Sequence, residues 1–216
     1  MAAARGVVVG VIAWGLVAMG ACTRGDEPAA PPATAESAAS APATERVVGP
    51  LSPADAAVLA TMNERVKAYV NLHREVEKSL PVLPNDATQL QIVQNQRLFE
   101  ERVRKARATA KQGDIFIPEA RTVIKRLLAT VFGGPEGAQL KASIMDENPV
   151  DPVALKLSVN GRYPDTVPLT TIPPKILQTL PELTEDLEYR FVGDWLILLD
   201  THAHVIADYI DNALPK

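Results

Sequence analysis

The chain is almost free of cysteine. Cys22 is the only one among 216 residues, so no disulfide can form within the chain and the fold must be held by its core. Aromatic residues are also scarce, at 5%, which leaves aliphatic side chains to supply most of the burial. Positive charge is not in excess. The formal net charge is −4, and without a strong basic field nucleic acid is not an expected partner. Short motifs that carry chemistry are missing too. No serine sits in G-x-S-x-G, and Gly133-Gly134-Pro135 lacks both the preceding strand and the following Lys-Ser/Thr of a phosphate loop. Carboxylate pairs such as Asp208 and Asp211 are too common to indicate a hydrolase. These absences lead to the expectation of a protein that is not an enzyme and carries no cofactor.

What is present begins with the leader. Arg5 is the only charge before Cys22, and Gly6 to Met19 is a continuous apolar run. Its length suits a secretory h-region and falls short of the about 20 residues a bilayer span needs. The small residues Gly20 and Ala21 then precede Cys22. This order resembles the lipobox of bacterial lipoproteins, with Met19 standing where Leu is usual. The resemblance implies that Cys22 receives a diacylglycerol, that cleavage leaves it as the acylated N-terminus, and that further acylation, of the palmitate type, completes the anchor. Two or more chains hold stably where one binds only marginally. With Thr23 after Cys22, the Asp that often retains lipoproteins at the inner membrane is absent. The location implied is the cell envelope, at the outer membrane facing the periplasm. The partners implied are the membrane itself and another envelope protein. A plain secretory peptide and an uncleaved anchor helix are the alternatives.

Composition divides the remainder. Removal of residues 1–21 takes away only Arg5 and leaves a net charge of −5. Residues 22–50 comprise Cys22 and an Ala, Pro, Ser and Thr-rich run. That run has too few large apolar side chains to offset the entropy of ordering, and it is expected to be a disordered tether. Residues 51–216 are expected to form one domain, helical over 51–148 and sheet-containing over 149–216, a length sufficient for a core.

Ser52-Pro53-Ala54-Asp55 reads as a helix start. Leu59, Met62, Val66, Tyr69, His73, Val76 and Leu80 follow at alternating spacings of three and four, one apolar stripe on a long helix. His73 lies in that stripe, where a packed, hydrogen-bonded imidazole is expected and a metal or acid–base role is the alternative. After the turn at Pro81, a second helix starts at Asp86 or Thr88. Its buried side is expected to carry Ile92, Phe99, Val103, Ala106 and Ala110, ending before Gly113. Two such helices should pack as an antiparallel hairpin. A third helix from Pro118 should turn Val123, Ile124, Leu127, Leu128 and Val131 inward, and a shorter fourth should begin at Pro135-Glu136.

Beyond Pro149 the pattern changes. Ala154 to Val159 alternates and meets Asn160-Gly161, which predicts a strand and a turn. Lys175 to Leu180 predicts one or two helical turns. Three strands are expected at Leu187–Val192, Trp195–Asp200 and about Ala203–Tyr209, the first two joined through Gly193-Asp194. The second is apolar on both faces, so it should lie centrally. One face should meet the helices and the other the 164–181 segment or a partner, with Trp195 deeply buried. The fold class expected is α+β. The run from Tyr189 to Ile210, YRFVGDWLILLDTHAHVIADYI, loosely resembles the C-terminal hairpin of small periplasmic proteins of the nickel/cobalt-homeostasis family. The resemblance implies a hairpin and carries no metal handling with it.

Two candidate sites remain. Asp200, His202 and His204 alternate, so an extended strand would project a carboxylate and two imidazoles to one side, a plausible zinc or nickel set. The same residues also read as a tight turn, which would destroy the alternation. Arg97, Arg104, Lys105, Arg107 and Lys111 form a basic run that either binds an anionic surface or is a solvated helix face paired with Glu100 and Glu101. The leading functional expectation is a lipid-anchored envelope protein with a non-enzymatic binding or structural role. A metal-binding envelope protein using Asp200, His202 and His204 is the alternative.

Overall fold

Ser52 stops the chain from fraying at its first helix. Its Oγ accepts the Asp55 backbone N–H at 3.1 Å, and Pro53 occupies a position whose N–H would be unpaired anyway. Helix α1 (Pro53–Lys78) follows, with Leu59, Met62, Val66, Tyr69, Val70 and His73 buried along one side. These features come from a computed structural model that describes residues 51–147, 150–168 and 170–215. The expected signal peptide 1–21, Cys22 and the tether through residue 50 lie outside the described residues. Among the described residues, no helix is long and apolar enough to cross a membrane.

Helix α2 (Gln89–Ala106) is capped by Thr88 and Gln91, each side chain serving the other's backbone. Its contacts with α1 run in reverse order along the chain. Arg107 lies over the Tyr69 ring, Arg102 donates to the Ser79 carbonyl, and Asn95 donates to the Pro81 carbonyl. The expected antiparallel hairpin is therefore present. Two details differ from the sequence reading. Only Phe99, Glu100 and Val103 are buried on α2, while Ile92 is 44% exposed. The helix also ends at Ala106, because the Asn160 side-chain amide donates to the Arg104 and Arg107 carbonyls at 2.9 and 3.0 Å, serving its last turn.

Helix α3 (Pro118–Phe132) buries Val123, Ile124, Leu127, Leu128 and Val131, as its periodicity predicts. Helix α4 (Gly137–Glu147) doubles back against its end so closely that a Cβ at Gly137 would stand 1.8 Å from the Phe132 carbonyl oxygen. A four-residue helix, α5 (Pro174–Leu177), precedes the sheet.

Strands β1 (Leu187–Val192), β2 (Trp195–Asp200) and β3 (Val205–Ile210) form one antiparallel sheet in the order β1-β2-β3. The central position of β2 follows from its two apolar faces. Gly193 makes the β1–β2 turn at φ +55, where a Cβ would also lie 2.6 Å from the Val150 carbonyl oxygen. Between Leu198 and Leu199 the pairing with β3 slips, so that Asp208 opposes Leu198 and Ile206 opposes Leu199. Helices packed on a small antiparallel sheet make this an α+β fold.

The sheet has two covered faces. Leu187, Tyr189, Phe191, Leu196, Leu198, Ala207 and Ile210 join α1, α3 and α5 in the main core. Each aliphatic side chain so enclosed stabilises the fold by roughly 1.5–3 kcal/mol. Val192, Ile197, Leu199 and Ile206 face the other way, toward Leu157, Tyr163 and Val167. The expected strand over Ala154–Val159 is absent. Turns occupy the segment, Lys156 and Asn160 adopt φ of 53 and 61, and Arg162 makes an isolated bridge to Val205. This segment supplies much of the cover assigned above to 164–181. Ile172, Ile176 and Leu180 instead join the helix-facing core. Trp195 is only half-buried, stacked on Tyr209 at 4.3 Å between ring centroids.

Candidate functional site

Strand β2 ends in Asp200, which pairs with Leu187 and so points, like Leu196 and Leu198, to the helix side of the sheet. The stripe of α1 meets it there. The Tyr69 hydroxyl donates to Asp200 Oδ2 at 2.8 Å, and His73 Nδ1 approaches the same oxygen at 2.6 Å. The Ala203 backbone N–H donates to Asp200 Oδ1 at 2.8 Å, closing the turn that leads to β3. Both Asp200 and His73 are 0% exposed, so this pair has no water to share its charge.

His73 is held on several sides. The Phe99 ring meets it edge-on at 4.9 Å, and the His202 ring lies 5.8 Å away. Its Nε2 stands 3.7 Å from Asp186 Oδ1, beyond hydrogen-bond reach, and is a buried nitrogen without a hydrogen-bond partner. Asp186 is engaged by Arg74 at 3.1 Å. Burial pushes the His73 imidazole down, but the hydrogen bond and charge of Asp200, then the charges of Asp186 and Glu77, outweigh it and raise its pKa. Burial raises Tyr69 well above the usual phenol range, with Asp200 adding to the effect. With Nδ1 committed to Asp200, Nε2 is the nitrogen open to a proton or a ligand.

The expected set of Asp200, His202 and His204 is divided by the chain path. Residues 201–204 form a turn, so the alternation an extended strand would give is lost. Asp200 faces inward, His202 is exposed, and His204 sits in the turn at φ 53, half-buried. Instead, His202 comes near His73 and Glu77. One donor atom from each of these three residues lies within 4.8 Å of the others. Glu77 follows His73 by one helical turn, so the i, i+4 spacing was a signal available in the sequence. Tyr69 and Asp186 gave no such signal.

The basic run is largely occupied by the protein itself. Glu100, buried at 6% exposure, accepts Arg97 at 3.3 Å, Arg104 at 3.4 Å and the Arg162 guanidinium. Arg97 also reaches Asp165, Arg104 donates to the Asn160 carbonyl, and Arg107 covers Tyr69. Lys105 and Lys111 are exposed. Arg97, Arg104 and Lys105 share one stretch of surface, while Arg107 turns to Tyr69 and Lys111 lies beyond the end of α2; Arg97, Arg104 and Arg107 serve the fold.

A second buried carboxylate does structural work. Asp208 on β3 accepts backbone N–H groups from Gly113, Ile115, Phe116 and Tyr209, fixing the loop between α2 and α3. Burial raises its pKa, against the pull of those donors.

No protein-family model, curated protein or solved structure matches the chain.

Proposed function

We propose that this is a lipid-anchored cell-envelope protein whose folded part has a non-enzymatic binding or structural role. The observation that carries the proposal is the apolar run Gly6–Met19 followed at once by Gly20-Ala21-Cys22, with a tether-like composition up to Pro50. Acylated Cys22 would be the anchor, and the outer membrane facing the periplasm its site. Another envelope protein is the partner proposed.

Two features of the folded part support a binding or structural role. First, the buried carboxylates Asp208 and Glu100 join segments distant in sequence and so hold the fold. Second, an open cleft of about 1030 Å³ runs between α1, the 171–183 segment and β1. Its walls include Leu59, Leu127, Ile172 and Leu187, and its charged groups include Glu188 and Arg190, which pair with each other. A mixed surface of aliphatic and polar side chains, also lined by Asn63, Gln178 and Glu182, suits contact with another protein.

The test is metabolic labelling with a tagged palmitate, run with membrane fractionation. The wild type should carry label and sediment with membranes. Cys22→Ser should carry none and lose its membrane retention. Label that persists in Cys22→Ser, or a wild type that never takes it up, would overturn the anchor.

A further inference from the structure

We propose that His73, Glu77 and His202 form a binding site for a divalent first-row transition-metal ion of the zinc type. The site is independent of the anchor at Cys22. It also differs from the alternating set read from the sequence, keeping only His202 from it.

Three observations meet at this place. The first is convergence. A donor atom from each residue lies within 4.8 Å of the other two, although the residues come from α1 and from the turn after β2. Ligands bound at about 2.1 Å to a tetrahedral ion stand roughly 3.4 Å apart. Glu77 and His202 are both exposed, so closing that difference asks for movement of surface side chains and not of the core.

The second is the state of His73. It is 0% exposed, and its Nε2 is a buried polar atom with no hydrogen-bond partner. Buried polar groups are nearly always paired, so one left open inside a rigid setting calls for an explanation. A bound cation would supply the missing partner.

The third is what holds His73. Its Nδ1 lies 2.6 Å from Asp200, itself fixed by Tyr69 and the Ala203 N–H. In the neutral ring, a proton held on Nδ1 by a carboxylate leaves Nε2 as the lone-pair donor, oriented and made more basic, which is how metal-bound histidines are commonly supported; an ion binding there takes the place of the proton Nε2 would otherwise hold. Asp186, 3.7 Å from Nε2, adds negative charge close by.

The donor set defines the ion. Two imidazoles and one carboxylate favour zinc, nickel or cobalt over calcium and magnesium, which take oxygen ligands. Three protein ligands leave a coordination position for water or for a group from a partner.

The test uses the full mature protein, stripped with chelator and titrated calorimetrically with Zn(II), with Ca(II) as the hard-ion control. The expected result is one Zn(II) per chain and no comparable binding of Ca(II). His73→Ala risks the fold, so Glu77→Gln and His202→Ala carry the test, both side chains being exposed. Each should weaken Zn(II) binding by about tenfold or more while leaving the metal-free melting temperature near the wild-type value. Zinc should raise the melting temperature of the wild type and fail to raise that of the double variant. No zinc binding by the wild type, zinc binding unchanged in both variants, or equal binding of Ca(II) would each overturn the site.

Discussion

Asp208 keeps its place in the core because backbone N–H groups replace the water it gave up. Those of Ile115, Phe116 and Tyr209 lie at 2.8 Å each. An amide at this position would put N–H groups against N–H groups. Asp208→Asn is therefore expected to cost about 2–4 kcal/mol, the scale for leaving buried donors unserved. Urea melts at neutral pH would show it, and a loss under about 0.5 kcal/mol would mean the loop is held otherwise. The buried phenols make a second residue-scale prediction. Burial pushes the Tyr163 hydroxyl up to about 12, and the Tyr189 hydroxyl is raised for the same reason. Their folded values lie above the unfolded value of about 10. The stability they contribute is thus complete below about pH 10 and is lost as pH rises through the folded values. Tyrosinate absorbance should appear late, together with loss of far-UV circular dichroism. Ionisation near pH 10 in a still-folded chain would contradict the burial. Neither role was legible in the sequence, since each depends on partners far along the chain. His73 was more legible: its place in the stripe predicted a packed, hydrogen-bonded imidazole, and Asp200 provides the bond.

At the scale of elements, periodicity was a sound guide wherever one face alone decides burial. The stripes of α1 and α3 and the hairpin at Gly193 are where the pattern puts them. It failed over Ala154–Val159, whose alternation resembles a strand. With Lys156 and Asn160 in the left-handed region, and Asn160 drawn to the end of α2, the chain turns instead and lays Leu157 and Tyr163 on the sheet. It failed again at Trp195, whose size and place in an apolar run predicted deep burial. The residue begins its strand at the sheet margin, where Tyr209 covers one side of the ring. The two halves of this picture can be separated by truncation. Leu198→Ala should cost about 2–5 kcal/mol, the range for a filled core site. Trp195→Ala should cost less, about 1–2 kcal/mol, reflecting a half-buried ring stacked on Tyr209. Denaturant melts giving the reverse order would place the core on the other face of the sheet.

At the scale of the whole molecule, the proposed anchor precedes in sequence a folded part that is held by its own core. Cooperative folding without a disulfide is expected because the one cysteine is at position 22 and a continuous aliphatic core joins helices to sheet. The candidate metal residues depend on that core for the position of His73, whereas the proposed anchor rests only on the first 22 residues. The most direct test of the anchored-protein account is mass spectrometry of the N-terminal peptide of the mature protein, purified from membranes. The predicted result is a peptide that begins at Cys22 and carries a diacylglycerol thioether with its acyl chains. A peptide beginning at Cys22 with an unmodified thiol, or one that retains the leader from Met1, would contradict it.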